Sequence, residues 1–312
     1  KYLLNVDGTQ YFSSKEVDCK KCLVRGSTKH PYHCHQVVQG AIVKAGLRQV
    51  IPVMPEEICT QDGEQKVDCE TNAFKRFLEK FRKDHDKLEI IINADALYAT
   101  TPVIKTIQSH NANYIFKIEA ANHKTLINNV NSVEKSRVET TSLRNNKLII
   151  EWVNDVELFS STKERTNYIE AWELVPQKDG TIKSQYYGKW VTDLKITTDD
   201  AKTILDAARA RWKIENECFN SLKNHGYNIT HNYGHGSNHL CYNMYNFTLL
   251  AFTMHQIHQL TDKLFQEMRG RFSRLGALWE RIRNAVEFFF FPSMEILWEV
   301  LALKRKYEPP PI

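Results

Sequence analysis

Three acidic residues stand where a protein could put them to chemical use: Asp7, Asp95 and Glu215. Asp7 follows the apolar run Tyr2 to Val6 and opens Asp7-Gly8-Thr9, which reads as a strand delivering a carboxylate into a tight turn. Asp95 closes Asn93-Ala94-Asp95 after the nearly continuous apolar run Leu88 to Ile92, the pattern of a strand buried on both faces. Glu215 lies in a stretch whose apolar residues recur at helical spacing. Three carboxylates with no protein nitrogen or sulfur make a hard-oxygen set, suited to Mg²⁺ or Mn²⁺. Two such ions about 3.5–4 Å apart polarise the attacking and leaving oxygens of an in-line phosphoryl displacement, the usual way of cutting and rejoining phosphodiesters. A chain with 37 acidic residues contains many triplets, so the residues around these three must decide.

A second group offers softer donors. Cys19-Lys20-Lys21-Cys22 is followed by His30, His33, Cys34 and His35, the C-x₂-C then His/Cys spacing of a structural zinc site. The natural set is Cys19, Cys22, His35 and one of His30, His33 or Cys34, with His33 taken as the fourth ligand. Such a zinc, with every position filled by protein, would brace the strand that carries Asp7.

These residues must be positioned by regular elements. Tyr2 to Val6, Gln36 to Val43 and Gln49 to Val53 read as an antiparallel meander, interrupted by a Cys/His loop at 15–36. Asp68 is the expected N-cap of an amphipathic helix that buries Ala73, Phe74, Phe77, Leu78 and Phe81. The strand Leu88 to Ile92, a helix from Thr101 to His110 and a strand from Tyr114 to Ile118 complete a mixed α/β unit. After a polar helix near 121–131, residues 137–192 alternate in short strands such as Lys147 to Val153, Val156 to Phe159, Asn167 to Leu174 and Gln185 to Leu194. One long helix from Asp199 to Gly226 is then expected, followed by helices over 240–306. The resulting division is a core of 1–120 and 195–235, a β-rich insertion of 121–194 and a helical C-terminal region of 236–312.

The 312 residues are 42% hydrophobic and 25% charged, which excludes collagen-like, coiled-coil and disordered chains. No window reaches the ~18 consecutive apolar residues of a membrane helix. Lys and Arg number 42 against 37 Asp and Glu, a net charge of +5 that permits a polyanionic partner without demanding one. Seven cysteines, irregularly spaced and without a secretory signal, favour a reducing compartment over a disulfide framework. The start, KYLLNVDG, has no initiator Met and reads as a fragment.

The text around the third acid carries a resemblance. RARWKIENECFNSLKNHGYN at 209–228 resembles the R-W-x-I-E helix signature of DDE transposases of the insertion-sequence type, which are RNase H-like enzymes. Arg211, Trp212, Ile214 and Glu215 match that signature in register. Lys223 falls eight residues after Glu215 where the family has about seven, and the family's Tyr position is Ala208. Glu217, six residues before Lys223, therefore remains an alternative third acid, although the register favours Glu215. NADALY at 93–98, LLNVDGT at 3–9 and WVTDL at 190–194 resemble the family's second-Asp strand, its first-Asp strand and the last strand of its insertion.

The resemblance, running from about 2 to 260, implies an RNase H-like mixed sheet flanked by helices, with a β-rich insertion before the Glu-bearing helix and a helical C-terminal region. It assigns Asp7, Asp95 and Glu215 to two Mg²⁺ or Mn²⁺ ions, and Arg211 and Lys223 to DNA phosphates near the cleaved end. The implied activity is divalent-metal-dependent strand cleavage at transposon ends and transfer of the 3′-hydroxyl into target DNA. Alternatives are an RNase H-like nuclease that does not join, and a non-catalytic zinc-stabilised DNA-binding protein. Double-stranded DNA is the expected partner, in a cytoplasmic, nucleoid-associated setting of prokaryotic type, with two protomers paired on two ends. Phe288 to Phe291 and Trp298 offer a surface for that pairing. His225, His231, His235 and His239 follow the Glu helix in a Gly-rich loop that could meet DNA, and no metal is assigned to them. Trp152, Trp172, Trp190 and Tyr186 could stack on splayed bases, although core packing is the commoner fate of such residues. No helix-turn-helix precedes Tyr2, so a DNA-recognition segment is expected upstream of this chain.

Overall fold

The computed structural model describes residues 1–59, 69–234 and 238–308. Its centre is an eleven-stranded mixed sheet. Strand β1 (Tyr2–Ser14) lies between two partners that run in opposite senses. The hairpin strand β2 (Leu23–Ser27) leads into β3 (His30–Val43), which pairs antiparallel with β1 and carries β2, β4 (Val50–Pro52) and β5 (Glu56–Ile58) on its other edge. On the opposite side β1 pairs in parallel with β6 (Ile90–Ala94), and β6 in parallel with β7 (Asn113–Lys117). An antiparallel meander continued by two parallel strands is the RNase H-like arrangement that the resemblance implied.

The β-rich segment does not form a separate layer. Strands β8 (Ser136–Thr141), β9 (Lys147–Glu157), β10 (Arg165–Pro176) and β11 (Ile182–Thr192) extend the same sheet, β11 joining β7 in antiparallel register. Asp193 prolongs that junction, accepting from Tyr114 N at 3.0 Å and Asn113 Nδ2 at 2.9 Å.

Alternation along the strands assigns the two faces. Leu4 and Val6 pack with helices α1 (Glu70–Asp84), α2 (Thr101–Ser109) and α3 (Lys124–Asn131). Burying the Phe and Leu side chains of α1 there contributes about 1.5–3 kcal/mol each. Leu3 and Tyr11 face the other way, towards α4 (Ala201–Arg209), α5 (Asn220–Asn224) and α6 (Leu240–Thr261). Helices α7 (Lys263–Gly270), α8 (Leu275–Phe288) and α9 (Met294–Leu301) close a smaller core of Phe265, Met268, Leu278, Leu297 and Trp298.

Three expectations change. Asp7 is not in a turn: β1 runs on through Asp7-Gly8-Thr9 to Ser14 because residues 7–14 pair with β3. The Cys/His loop at 15–36 is largely the β2–β3 hairpin, whose polar text HPYHCHQ hides a strand. The expected N-cap Asp68 lies outside the described residues, and Cys69 occupies the position before α1.

A further change concerns the helix of Glu215. Instead of running unbroken from Asp199 to Gly226, it stops at Arg209, turns, and resumes as a wide π-helical turn over Ile214–Phe219 before α5. Two buried amides account for the break. Asn5 Nδ2 donates to the carbonyls of Ala210 at 2.7 Å and Arg211 at 3.2 Å. Asn93 Nδ2 donates to Ala207 O at 2.8 Å and to Asn5 Oδ1 at 3.2 Å. These side chains add a second donor to carbonyls that already accept backbone N–H groups, Ala207 O from Ala210, Ala210 O from Lys213 and Arg211 O from Ile214, and so fix the turn in place. π-Helical turns of this kind concentrate at functional sites.

Asn93→Ala is expected to lower unfolding free energy by about 1–3 kcal/mol, since it strands the buried Asn5 Oδ1 and removes the second donor to Ala207 O. Urea denaturation of Asn5→Ala, Asn93→Ala and the double variant should show a combined loss smaller than the sum of the two. A strictly additive loss would mean that the amides act independently.

Candidate active site

The text N-x-D occurs twice, as Asn5-Val6-Asp7 within β1 and as Asn93-Ala94-Asp95 at the end of β6. In the parallel β1–β6 ladder Asn5 stands opposite Asn93. The same register carried two residues onward sets Asp7 beside Asp95 on strands about 4.8 Å apart. Asp7 shares the parity of Leu3 and Asn5, so it emerges on the face covered by the Glu215 segment. Asp95 is held at its strand end by its own turn, Oδ1 accepting from Leu97 N at 2.9 Å as the cap of a short 3₁₀ turn.

Glu215 comes from the first turn of the π-helical segment. Arg211 stands between the acids, Nη2 at 2.6 Å from Glu215 Oε1 and Nη1 at 3.6 Å from Asp7 Oδ2. Half-buried Lys223 interacts electrostatically with Asp7, and burial is what lowers its basicity. Glu217 looks elsewhere: its Oε2 pairs with Arg48 Nε at 3.1 Å.

The charge of the group registers on Asp7. Burial pushes its carboxyl up to about 7; Arg211 opposes the rise, while Glu70, Asp95 and Glu215 add to it. Glu70, in the first turn of α1, is a fourth acid at this group. It accepts from Tyr98 Oη at 2.8 Å, and burial raises its pKa, with Asp95 adding to the rise. A Cβ on Gly8 would stand 2.2 Å from Glu70 Oε2, so only glycine lets α1 bring this carboxylate against β1. The signal available in the sequence was Asp7-Gly8, a glycine beside the first acid.

The Cys/His group is brought together in part. Cys19 and Cys22 flank a turn closed by Cys22 N to Cys19 O at 3.0 Å. Their sulfurs are 3.9 Å apart, and each is 3.5 Å from His35 Nε2. Among the described residues these form the only group of three or more His, Cys, Asp or Glu whose ligand atoms all lie within 4.8 Å of one another. Asp7, Asp95 and Glu215 do not close to that spacing; Arg211 occupies the gap between Asp7 and Glu215. His33 lies about 6.7 Å from His35 along β3 and stays out of the cluster. Cys34 faces the main core with Leu23, and His30 is exposed at the start of β3.

Of the second histidine group, His225 is half-buried, His231 packs on Tyr233 and His239 is exposed beside Lys21, while His235 lies outside the described residues. Trp152 and Trp190 are core residues, whereas Tyr186 is exposed against Trp172. No helix among the described residues is long and apolar enough to cross a membrane.

The raised Asp7 pKa fixes a sign for stability. Below about pH 4 Asp7 is protonated folded and unfolded; between about 4 and about 7 the unfolded chain ionises first, so folding loses free energy as pH rises. Melting temperatures of the metal-free chain and of Asp7→Asn should therefore coincide near pH 4 and separate towards pH 8, with Asp7→Asn the more stable. Parallel profiles would show that Asp7 is not held in this environment.

A family model described as the transposase DDE domain matches residues 44–249. The matched span takes in Glu70, Asp95, Arg211, Glu215 and Lys223, and begins after Asp7. No curated protein matches the chain. With two thirds of its length matched, on an RNase H-like sheet, the chain belongs to the DDE transposase family.

Proposed function

We propose that this domain cuts a DNA phosphodiester at the ends of a mobile element and joins the freed 3′-hydroxyl to target DNA, in a reaction that depends on Mg²⁺ or Mn²⁺. The observation that carries the reading is that Asp95 and Glu215, from two other elements, act electrostatically on Asp7, with Arg211 between Asp7 and Glu215. The residues fit a hard divalent cation: all three donors are carboxylates, and the mutual repulsion that helps raise Asp7 is what added positive charge offsets. Two ions held by them would polarise the attacking and leaving oxygens of an in-line displacement at phosphorus.

The protein's own groups do the rest. Arg211, between Asp7 and Glu215, and Lys223, close to Asp7, supply cations that bind and orient the phosphates flanking the cleaved bond. Asp95, tied by Leu97 N, keeps a fixed direction, and Glu70 backs the pair from the α1 side. The third acid is Glu215, a choice supported by the engagement of Glu217 with Arg48. Two protomers acting on two DNA ends would meet through the exposed Phe288, Phe289 and Phe290; Trp298 is buried beneath α7 and takes no part. Such a protein acts where the chromosome is, in the prokaryotic cytoplasm.

The test is cleavage and joining of a labelled duplex carrying the element's ends, with Mg²⁺ or Mn²⁺. Asp95→Asn and Glu215→Gln should each lower cleavage by about a hundredfold or more with circular dichroism unchanged, and Glu217→Gln should stay within severalfold of wild type. Full activity in Asp95→Asn would refute the carboxylate assignment. Cleavage without joining would make the protein a nuclease, and tight DNA binding without cleavage a non-catalytic binder.

A further inference from the structure

We propose that Cys19, Cys22 and His35 are completed by Cys241 into a structural zinc site that fastens the first hairpin to helix α6. A zinc about 2.3 Å from each sulfur and about 2.05 Å from nitrogen, with tetrahedral angles, sets its ligand atoms about 3.8 Å apart for S···S and about 3.6 Å for S···N. The observed separations are 3.9 Å between the sulfurs and 3.5 Å from each sulfur to Nε2. Three corners of the tetrahedron are thus in place.

The fourth comes from the cavity beside them, which Lys21, Glu57, His239 and Cys241 share with Cys19 and His35. Glu57 already accepts from Tyr11 Oη at 3.3 Å and pairs with Lys21 at 3.7 Å. The Nδ1 of His239 is 3.0 Å from the Lys21 ammonium, and the residue is exposed. Cys241 is buried, stands within electrostatic reach of Cys19 and occupies the first turn of the 22-residue α6. Its sulfur lies outside the 4.8 Å grouping of the other three, so closing the set draws the start of α6 towards the hairpin. The set becomes three thiolates and one imidazole, a usual structural zinc shell, with Cys241 in the place expected of His33. Because α6 follows the loop that leaves the Glu215 segment, the metal also anchors the far end of that loop.

The test uses the full chain, with metal content by mass spectrometry and Co²⁺ as the optical probe. Wild type should hold about one zinc per chain and, with Co²⁺, show tetrahedral d–d bands and strong thiolate-to-cobalt charge transfer. Cys241→Ser should lose about one third of the charge-transfer intensity and weaken zinc retention about tenfold or more. His33→Asn should change neither. Cys241→His should restore retention while keeping the two-thiolate spectrum, which decides the matter even if Cys241→Ser folds poorly. A wild-type chain that binds no zinc or Co²⁺ would overturn the site. Unchanged charge transfer in both Cys241 variants would overturn the role of Cys241.

Discussion

Everything at the candidate active site hangs on one buried contact, the amide of Asn93 against the amide of Asn5. Both side chains are fully buried, where an unpaired amide group costs free energy on the scale of a lost hydrogen bond. Asn93 gives its other N–H to Ala207 O, and Asn5, the acceptor of the pair, donates to the carbonyls of Ala210 and Arg211 just past α4. The pair therefore locks the β1–β6 register and the exit of α4 in a single arrangement. Asp7 and Asp95 ride two residues further along the locked strands, and Arg211 and Glu215 follow directly after the locked helix end.

The carboxylates themselves were legible because each sits in a strong local pattern: an apolar run that ends in an acid, and the Arg-Trp-x-Ile-Glu text. The order of strands and helices in the core was legible for the same reason, since central strands buried on both faces and α1 with its phenylalanines have unambiguous periodicity. Residues 30–36 hid a strand because their polar side chains serve the hairpin and the thiol cluster instead of the core. The break after Arg209 could not be read locally. Its cause, the side chains of Asn5 and Asn93, lies more than a hundred residues away, and Ala207 to Arg211 remain good helix formers in isolation. Glu70 was overlooked because an acid in a first helical turn has an ordinary explanation in the helix dipole. His33 was chosen on spacing that a loop would allow, whereas a strand separates alternate residues too far for one metal.

The acids of this site work against the fold that holds them. Burial and mutual repulsion raise Asp7 and Glu70 together, and Arg211, Tyr98 and the Gly8 backbone only partly offset the strain. Such local cost is the usual exchange of stability for function, sustained here by the hydrophobic cores on both faces of the sheet.

The contact of Asp193 with Asn113 and Tyr114 means that the chain departs from the core after β7 and comes back to the same spot. Whatever lies between those points is a detour with a closed mouth. The detour is nonetheless part of the core, because Ile204 and Leu205 of α4 share one buried cluster with Ile150 and Trp152 of β9 and Ile169 of β10. Length is therefore free only at exposed hairpin turns such as 177–181, while the strands themselves help hold α4, and with it Arg211 and Glu215, in place.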